Sequence, residues 1–146
     1  MILKFLFALC IIFLSACSYT TPLEYQINRE TTENFTYVSD IKKHGVKDYW
    51  QTALETQRDK TGDCEDFAIL EAAKLLELGV QEPELKFALY KDFLTNEQHL
   101  VLIYNNKILD VNKGVKDFTK TLDNRFIFVV EFPIVNTRST KKYFQL

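Results

Sequence analysis

Gly62-Asp63-Cys64-Glu65-Asp66-Phe67-Ala68 is the stretch that decides how the chain folds, because an apolar-rich segment begins there. Apolar residues cover most of the helical circumference as far as Leu78, which predicts a largely buried helix over residues 63–78. Gly79 follows at a position where a helix stop favours glycine. Cys64 therefore lies in the first turn of the predicted helix, where unpaired backbone N–H groups and the helix dipole stabilise a thiolate.

Three acidic residues surround this cysteine: Asp63, Glu65 and Asp66. Their negative charge would raise the pKa of the thiol, and they are unusual neighbours for a buried structural cysteine. They complement the positive end of the helix dipole, which is one explanation for their presence. A reactive Cys64 requires a second explanation, in which another group neutralises the negative charge of these acids.

The remaining pattern predicts one more helix and then a sheet. Apolar residues recur at helical spacing from Val46 to Leu54, which predicts an amphipathic helix over residues 46–58. Segments rich in β-branched and aromatic residues predict strands over residues 85–91, 99–104, 107–111 and 125–132. Helices followed by an antiparallel sheet give the fold class α+β.

A hairpin in this sheet relates His99 to Asp110. Asn105-Asn106 separates two strands, and Asn tolerates the positive φ that a two-residue turn requires. In that register paired residue numbers sum to 211, so Asp110 lies opposite Val101. His99 and Asp110 then project from one face as diagonal neighbours, with backbones about 7–8 Å apart. A one-residue bulge would place the two side chains on opposite faces.

Length, charge and the N-terminal segment limit the class of protein. The chain has 146 residues and a net charge of -2, which suit one domain and give nucleic acid no basic surface. Lys4 precedes a short apolar run, and Leu14-Ser15-Ala16-Cys17 follows it, as in bacterial lipoprotein signals. We expect a signal peptide over residues 1–16, a lipidated tether over 17–35 that begins at Cys17, and a folded domain over 36–146.

Three blocks together resemble the bacterial transglutaminase-like cysteine proteinases: Gly62 to Ala68, Gln98-His99-Leu100-Val101-Leu102, and Ile108-Leu109-Asp110-Val111. The resemblance covers about residues 49–112. It implies a papain-like, transglutaminase-like core with helices packed on an antiparallel sheet. In that core Cys64 is the nucleophile, His99 the general base and Asp110 the orienting acid.

The resemblance also has implications for cofactors and partners. Adhesin-cleaving members bind calcium beside the nucleophile through flanking acids, which here are Asp63, Glu65 and Asp66; no cofactor is implied for the chemistry itself. We therefore expect a peptidase of the cell envelope that faces the periplasm and is held to the membrane by a lipid on Cys17. Its expected partner is a protein substrate such as a surface adhesin, not nucleic acid.

Two questions of function stay open at this stage. The thioester formed on Cys64 is resolved by water in proteolysis and by an amine in transamidation, and the sequence does not decide between them. The alternative to an enzyme is a non-catalytic envelope lipoprotein that keeps the fold as a binding module. The presence of Cys64, His99 and Asp110 together favours the enzyme.

Overall fold

The computed structural model of the chain describes residues 20–118, 121–134 and 141–145. The helices in this part of the chain are α1 (Leu23–Asn34), α2 (Asp40–His44), α3 (Ala53–Asp59) and α4 (Cys64–Glu77). The strands are β1 (Thr36–Tyr37), β2 (Thr61–Gly62), β3 (Leu85–Asp92), β4 (Gln98–Tyr104), β5 (Lys107–Asp110), β6 (Gly114–Asp117), β7 (Thr121–Asp123) and β8 (Phe126–Pro133). Single 3₁₀ turns span Glu82–Glu84 and Lys141–Phe144.

Six of the strands form one antiparallel sheet in the order β6-β5-β4-β3-β8-β7. Helix α4 packs against this sheet at β4 and β5. The apolar residues of β4 alternate between two faces, because successive side chains of a strand point in opposite directions. Leu100 and Leu102 join the core under α4, while Val101 and Ile103 join a second cluster on the other face. The predicted α+β arrangement of helices on an antiparallel sheet is confirmed.

The hairpin between β4 and β5 has the predicted register. Asn105 and Asn106 form its turn with φ of 55° and 57°. The pairs Leu102↔Leu109 and Ile103↔Ile108 each sum to 211. The two-residue turn is therefore confirmed, and no bulge separates the faces of His99 and Asp110.

The first predicted helix is wrong over most of its length. Residues 46–52 are not helical, and α3 occupies only Ala53–Asp59. Of the expected buried stripe, Ala53 is buried, but its four other members are exposed: Val46, Tyr49, Trp50 and Leu54. Tertiary contacts override the periodicity here, because the carboxylates of Asp40 and Asp66 accept hydrogen bonds from the main-chain N–H groups of Tyr49 and Gln51.

The expectation of a tether over residues 17–35 is wrong for most of that range. Leu23–Asn34 forms α1, which packs against α4, β5 and β6. Its buried side chains are Glu24, Ile27, Asn28 and Thr31. They follow helical spacing, but three of them are polar and give no apolar signal.

Residues 1–19 lie outside the described part of the chain, so the signal peptide and the lipidation of Cys17 stay predictions. No helix among the described residues combines the length and the apolar character needed to cross a membrane.

Candidate active site

Cys64 is the first residue of α4 and follows directly on a strand pair and the N-cap residue. Strand β2 pairs in parallel with β1, so that Thr36 lies beside Thr61 and Tyr37 beside Gly62. The carboxylate of Asp66 accepts a hydrogen bond from the main-chain N–H of Asp63 at 3.2 Å, which helps to cap the helix. The start of α4, and with it the sulfur, is therefore fixed from both sides.

Gly62 is required at this position by its surroundings. A Cβ atom there would lie 2.6 Å from Cβ of Asp66 and 3.0 Å from the side-chain nitrogen of Gln51. Such distances are well inside van der Waals contact, so a larger residue would displace Asp66 from its capping position. The glycine at the head of the motif is thus a packing requirement of the helix start.

The surroundings of the thiol favour its protonated form. Cys64 is 9% exposed, and its Sγ donates a hydrogen bond to Oε2 of Glu65 at 3.1 Å. Burial raises the pKa of the thiol far above its ordinary value, and the charge of Glu65 raises it further. The main-chain N–H of Leu100 acts in the opposite direction, since it donates to the sulfur and stabilises the thiolate.

His99 and Asp110 form a buried pair. Nε2 of His99 lies 3.1 Å from Oδ2 of Asp110, and the two residues are 7% and 1% exposed. The other carboxylate oxygen, Oδ1, accepts from the main-chain N–H of Asn112 at 2.8 Å. Since a carboxylate only accepts, the ring proton belongs on Nε2, and Nδ1 carries the free lone pair. The ring also packs against Phe126, with centroids 5.2 Å apart.

The structure brings the three predicted residues into one region but does not join all of them. His99 bonds to Asp110, as the hairpin geometry predicts. Cys64 reaches β4 at Leu100, the residue directly after His99. In the described hydrogen bonds the thiol pairs with Glu65 and not with the imidazole. The sulfur thus lies beside the strand that carries the histidine, while the His99 ring is held by Asp110 and Phe126.

A cleft of about 590 Å³ opens over Cys64. Its walls come from the loop after β1, from residues around Asp48 and Trp50, and from the start of β4, including Gln98 and Leu100. Tyr37 is 48% exposed on this wall. Burial and the nearby Cys64 and Asp63 raise the pKa of its hydroxyl, so that it stays a hydrogen-bond donor at neutral pH. The volume of the cleft lies within the range of ligand-binding clefts.

Acidic side chains converge at the same end of the cleft. One group contains Asp40, Asp48 and Glu65, and another contains Asp40, Asp63 and Asp66; within each, one oxygen per residue lies within 4.8 Å of the others. Burial, then the charge of Glu65, raises the pKa of Asp63 to about 7. Burial raises the pKa of Asp66 to about 6, while hydrogen bonds from Gln51 oppose the rise. Burial and the neighbouring negative charges thus disfavour the ionised forms of Asp63 and Asp66.

Two oxygens of this cluster have no hydrogen-bond partner although they are buried: Oδ1 of Asp40 and Oδ1 of Asp63. An unpaired buried carboxylate oxygen is costly, which is why such atoms normally have a donor or a cation. The donor set is all carboxylate oxygen, which is the chemistry that a hard divalent cation prefers. The residues present therefore fit a calcium ion.

Several residues of the site have no clear signal in the sequence. Asp40 and Asp48 lie 24 and 16 residues before Cys64 and join it through the folding of a loop. Tyr37 is placed by the β1–β2 pair, which is only two residues long in each strand. Only Ser39-Asp40, which reads as the start of a helix, is a recognisable local pattern.

Comparisons with known proteins match both the sequence and the fold of this chain. A family model described as bacterial transglutaminase-like cysteine proteinase matches residues 19–127. Calcium-bound LapG of Legionella pneumophila superposes with a TM-score of 0.62 and 28% identity, over 75% of this chain and 63% of that chain. EGTA-treated LapG gives 0.62 and 28%, over 75% and 61%. A further LapG structure gives 0.61 and 26%, over 82% and 73%.

This chain therefore spans less than two thirds of the length of the first two LapG structures. No curated protein matches it. The predicted transglutaminase-like core is confirmed by the family match and by the superposition.

Proposed function

The chain belongs to the bacterial transglutaminase-like cysteine proteinases, and on that premise we propose that it hydrolyses amide bonds in a protein substrate through Cys64, His99 and Asp110. The observation that carries the proposal is the buried pair formed by His99 of β4 and Asp110 of β5. Leu100, the residue after His99, lines the same cleft as Cys64. In this assignment Cys64 is the nucleophile, His99 the general base and Asp110 the acid that orients the ring.

The proposed reaction proceeds through a thioester. Nδ1 of His99 takes the thiol proton, and the thiolate of Cys64 attacks the carbonyl carbon of the substrate. Unpaired N–H groups at the start of α4 stabilise the oxyanion. The C–N bond then breaks, the leaving amine takes the proton from His99, and a thioester remains. Water, deprotonated by His99, attacks the thioester, which releases the acid and restores the thiol; an amine in place of water gives transamidation.

The direct contact between Cys64 and Glu65 must be relieved for this reaction. The thiol donates its proton in a hydrogen bond to Glu65, and the charge of Glu65 disfavours the thiolate. We propose that calcium binds Asp63, Glu65 and Asp66, together with Asp40 and Asp48, whose side chains complete the two acidic groups. Asp66 already accepts three hydrogen bonds, from Gln51 and Asp63, so its main part is to hold the helix start. A bound cation supplies positive charge that offsets these acids; a LapG structure in the calcium-bound state supports the assignment.

The location and the partner are part of the same proposal. We propose that the segment before Cys17 is a lipoprotein signal and that the protein is anchored by lipid in the envelope and faces the periplasm. The cleft accepts an extended polypeptide, which suits an adhesin or another surface protein presented to an anchored enzyme. The family match supports a peptidase, and the identity of the substrate is part of the proposal.

The activation of Cys64 is tested by alkylation with iodoacetamide in the presence of calcium, read by mass spectrometry of the Cys64 peptide. His99→Ala should slow labelling about a hundredfold, the size of a general-base contribution. His44→Ala is the matched control, because His44 is the other histidine of the chain and lies on α2. Equal labelling rates in wild type and His99→Ala would count against an activated pair.

Proteolysis itself is tested by mapping new protein N-termini in the cell envelope. Strains with wild-type protein should show cleavage products that are absent with Cys64→Ser at equal protein abundance. If the wild type produces no new N-termini but Cys64→Ser keeps the cellular phenotype, the binding-module alternative replaces the enzyme.

Calcium binding is tested with Trp50, the single tryptophan, whose indole N–H donates to Oδ1 of Asp48 at 2.8 Å. Calcium should change the Trp50 fluorescence. Asp48→Asn or Glu65→Gln should raise the calcium concentration that gives half of this change at least tenfold. Asp117→Asn is the control, since that acid lies on β6 and pairs with Lys107. A response that survives both cluster variants would exclude this site.

A further inference from the structure

Helix α1 makes a polar contact with the backbone of Asp110 from outside the sheet. Asn28 is 3% exposed on this helix. Its side-chain nitrogen donates to Oε1 of Glu71 at 2.9 Å and to the main-chain carbonyl of Asp110 at 3.3 Å. An amide NH₂ has two hydrogens, so both bonds form at once. One side chain thus connects α1, α4 and the end of β5.

Asp110 needs such support because it lies past the end of the β4–β5 ladder. The last pair of that ladder toward Asp110 is Leu102↔Leu109. Asp110 pairs on its other side with Gly114 of β6, and its carbonyl also accepts from Lys113 at 3.3 Å. The strand that carries His99 therefore does not hold the backbone of Asp110 in place. That backbone is held by β6, by Lys113 and by Asn28, and Asn28 is the contact from α1.

Glu71 fixes which way the amide of Asn28 points. It lies on α4, seven residues after Cys64, and is 1% exposed. Burial raises its pKa to about 8, and the hydrogen bond from Asn28 acts in the opposite direction. The charged groups that act on it are Asp110, which raises its pKa, and Lys74, which lowers it. Because Glu71 accepts from the amide nitrogen, that nitrogen is directed toward Asp110.

We propose that Asn28 is a positioning residue for the reaction: oriented by Glu71, it holds the end of β5 where the Asp110 carboxylate meets His99. The inference rests on the proposed function, since it assigns His99 and Asp110 their parts in it. A buried polar pair between α1 and α4 is not needed for packing, because two apolar side chains of similar size would fill the space without hydrogen bonds. The polar pair is the only link through which α1 acts on the site in the described hydrogen bonds.

The test compares the full chain with Asn28→Asp, Glu71→Leu, Glu71→Gln and the double variant Asn28→Leu/Glu71→Leu. Asn28→Asp keeps the size but removes the two N–H donors, and its carboxylate repels the main-chain carbonyl of Asp110. It should lower kcat about tenfold with little change in KM, because it shifts the histidine and not the substrate cleft. Glu71→Leu should lower kcat in the same way, and Glu71→Gln, which keeps the acceptor, should recover most of it. Thr31→Val is the control: Thr31 is buried on the same helix, and its hydroxyl donates to the main-chain carbonyl of Ile27 within α1.

A second readout does not depend on activity. The Nε2 proton of His99 is observed by NMR, and its exchange with solvent reports the bond to Asp110. Exchange should be about tenfold faster in Asn28→Asp and in the double variant, and unchanged in Thr31→Val. If neither the wild type nor any variant cleaves substrate, the proposed function fails. Proton exchange at His99 then still decides whether Asn28 positions the His99–Asp110 pair. The inference is overturned if the double variant has the same proton exchange rate and the same kcat as wild type. It is also overturned if a melt shows that the double variant is globally unfolded, because Asn28 then has a structural role only.

Discussion

Replacing Gly62 with Ala should destabilise the protein and also disturb Cys64, the proposed nucleophile. The added Cβ would lie 2.6 Å from Cβ of Asp66, 2.8 Å from Oδ2 of Asp66 and 3.0 Å from the side-chain nitrogen of Gln51. Overpacking of this kind costs about 1–3 kcal/mol. Movement of Asp66 weakens its buried hydrogen bonds to Asp63 and Gln51, which adds about 1 kcal/mol or more. Alanine also restricts the unfolded chain, which offsets about 0.5 kcal/mol, so the net loss is about 1.5–3.5 kcal/mol.

Urea unfolding followed by circular dichroism measures this loss. With a slope of about 1–3 kcal/mol per molar urea, the midpoint should fall by about 0.5 M or more. Iodoacetamide labelling of Cys64 should change in the same variant, since Asp66 caps the helix that carries the thiol.

Gly79→Ala is the matched control for this prediction. Gly79 has φ of 91° and nothing within 4 Å of the position of an added Cβ. Its cost is therefore backbone strain of about 1 kcal/mol, without effect on Cys64 labelling. If Gly62→Ala unfolds within about 0.5 kcal/mol of wild type, a size typical of neutral surface changes, the close contacts at the helix start do not exist in solution and the reasoning is wrong.

Three further changes test other parts of the fold. Thr52→Ala removes the cap of α3, where Thr52 and Glu55 bond each other reciprocally at 3.2 and 2.7 Å. The free energy of unfolding should fall by about 1 kcal/mol. It should fall less in the control Thr32→Ala, which lies on the exposed side of α1. The pKa of Glu71 is raised from 4.5 to about 8, so the folded state holds a proton that the unfolded state releases. The free energy of unfolding should therefore fall as pH rises from about 5 to 8. Glu71→Gln should flatten this pH dependence in urea titrations. Asn106→Val should cost about 1–2 kcal/mol at φ of 57°, while Asn106→Gly should not, as thermal melts would show.

Local chemistry made part of this fold predictable. Helix α4 has a dense apolar pattern and a glycine after it, and the observed bounds, Cys64–Glu77, lie within one residue of the prediction. The hairpin followed from two asparagines between strands, because few residues tolerate positive φ twice in succession. That register in turn predicted the His99–Asp110 pair, so this part of the site needed no knowledge of the rest of the fold.

The failures have physical causes that differ from one another. In α1 the buried positions are mainly polar, and their partners, such as Glu71, are more than 40 residues away in sequence. Residues 46–52 carry an apolar period, but hydrogen bonds from Tyr49 and Gln51 to distant carboxylates hold them out of the helix. The true start of α3 did have a local signal, Thr52-x-x-Glu55, which is the pattern of a capping box.

Because α1 begins at Leu23, the proposed lipid on Cys17 and the globular domain have only residues 18–22 between them. Five residues span at most about 17 Å when fully extended. That distance is shorter than the width of a small protein. A lipid on Cys17 would therefore keep the folded domain close to the lipid headgroups. Polypeptides would be cut where they emerge from, or pass close to, the same bilayer leaflet, and proteins free in the periplasm would have to come to the surface to be cleaved.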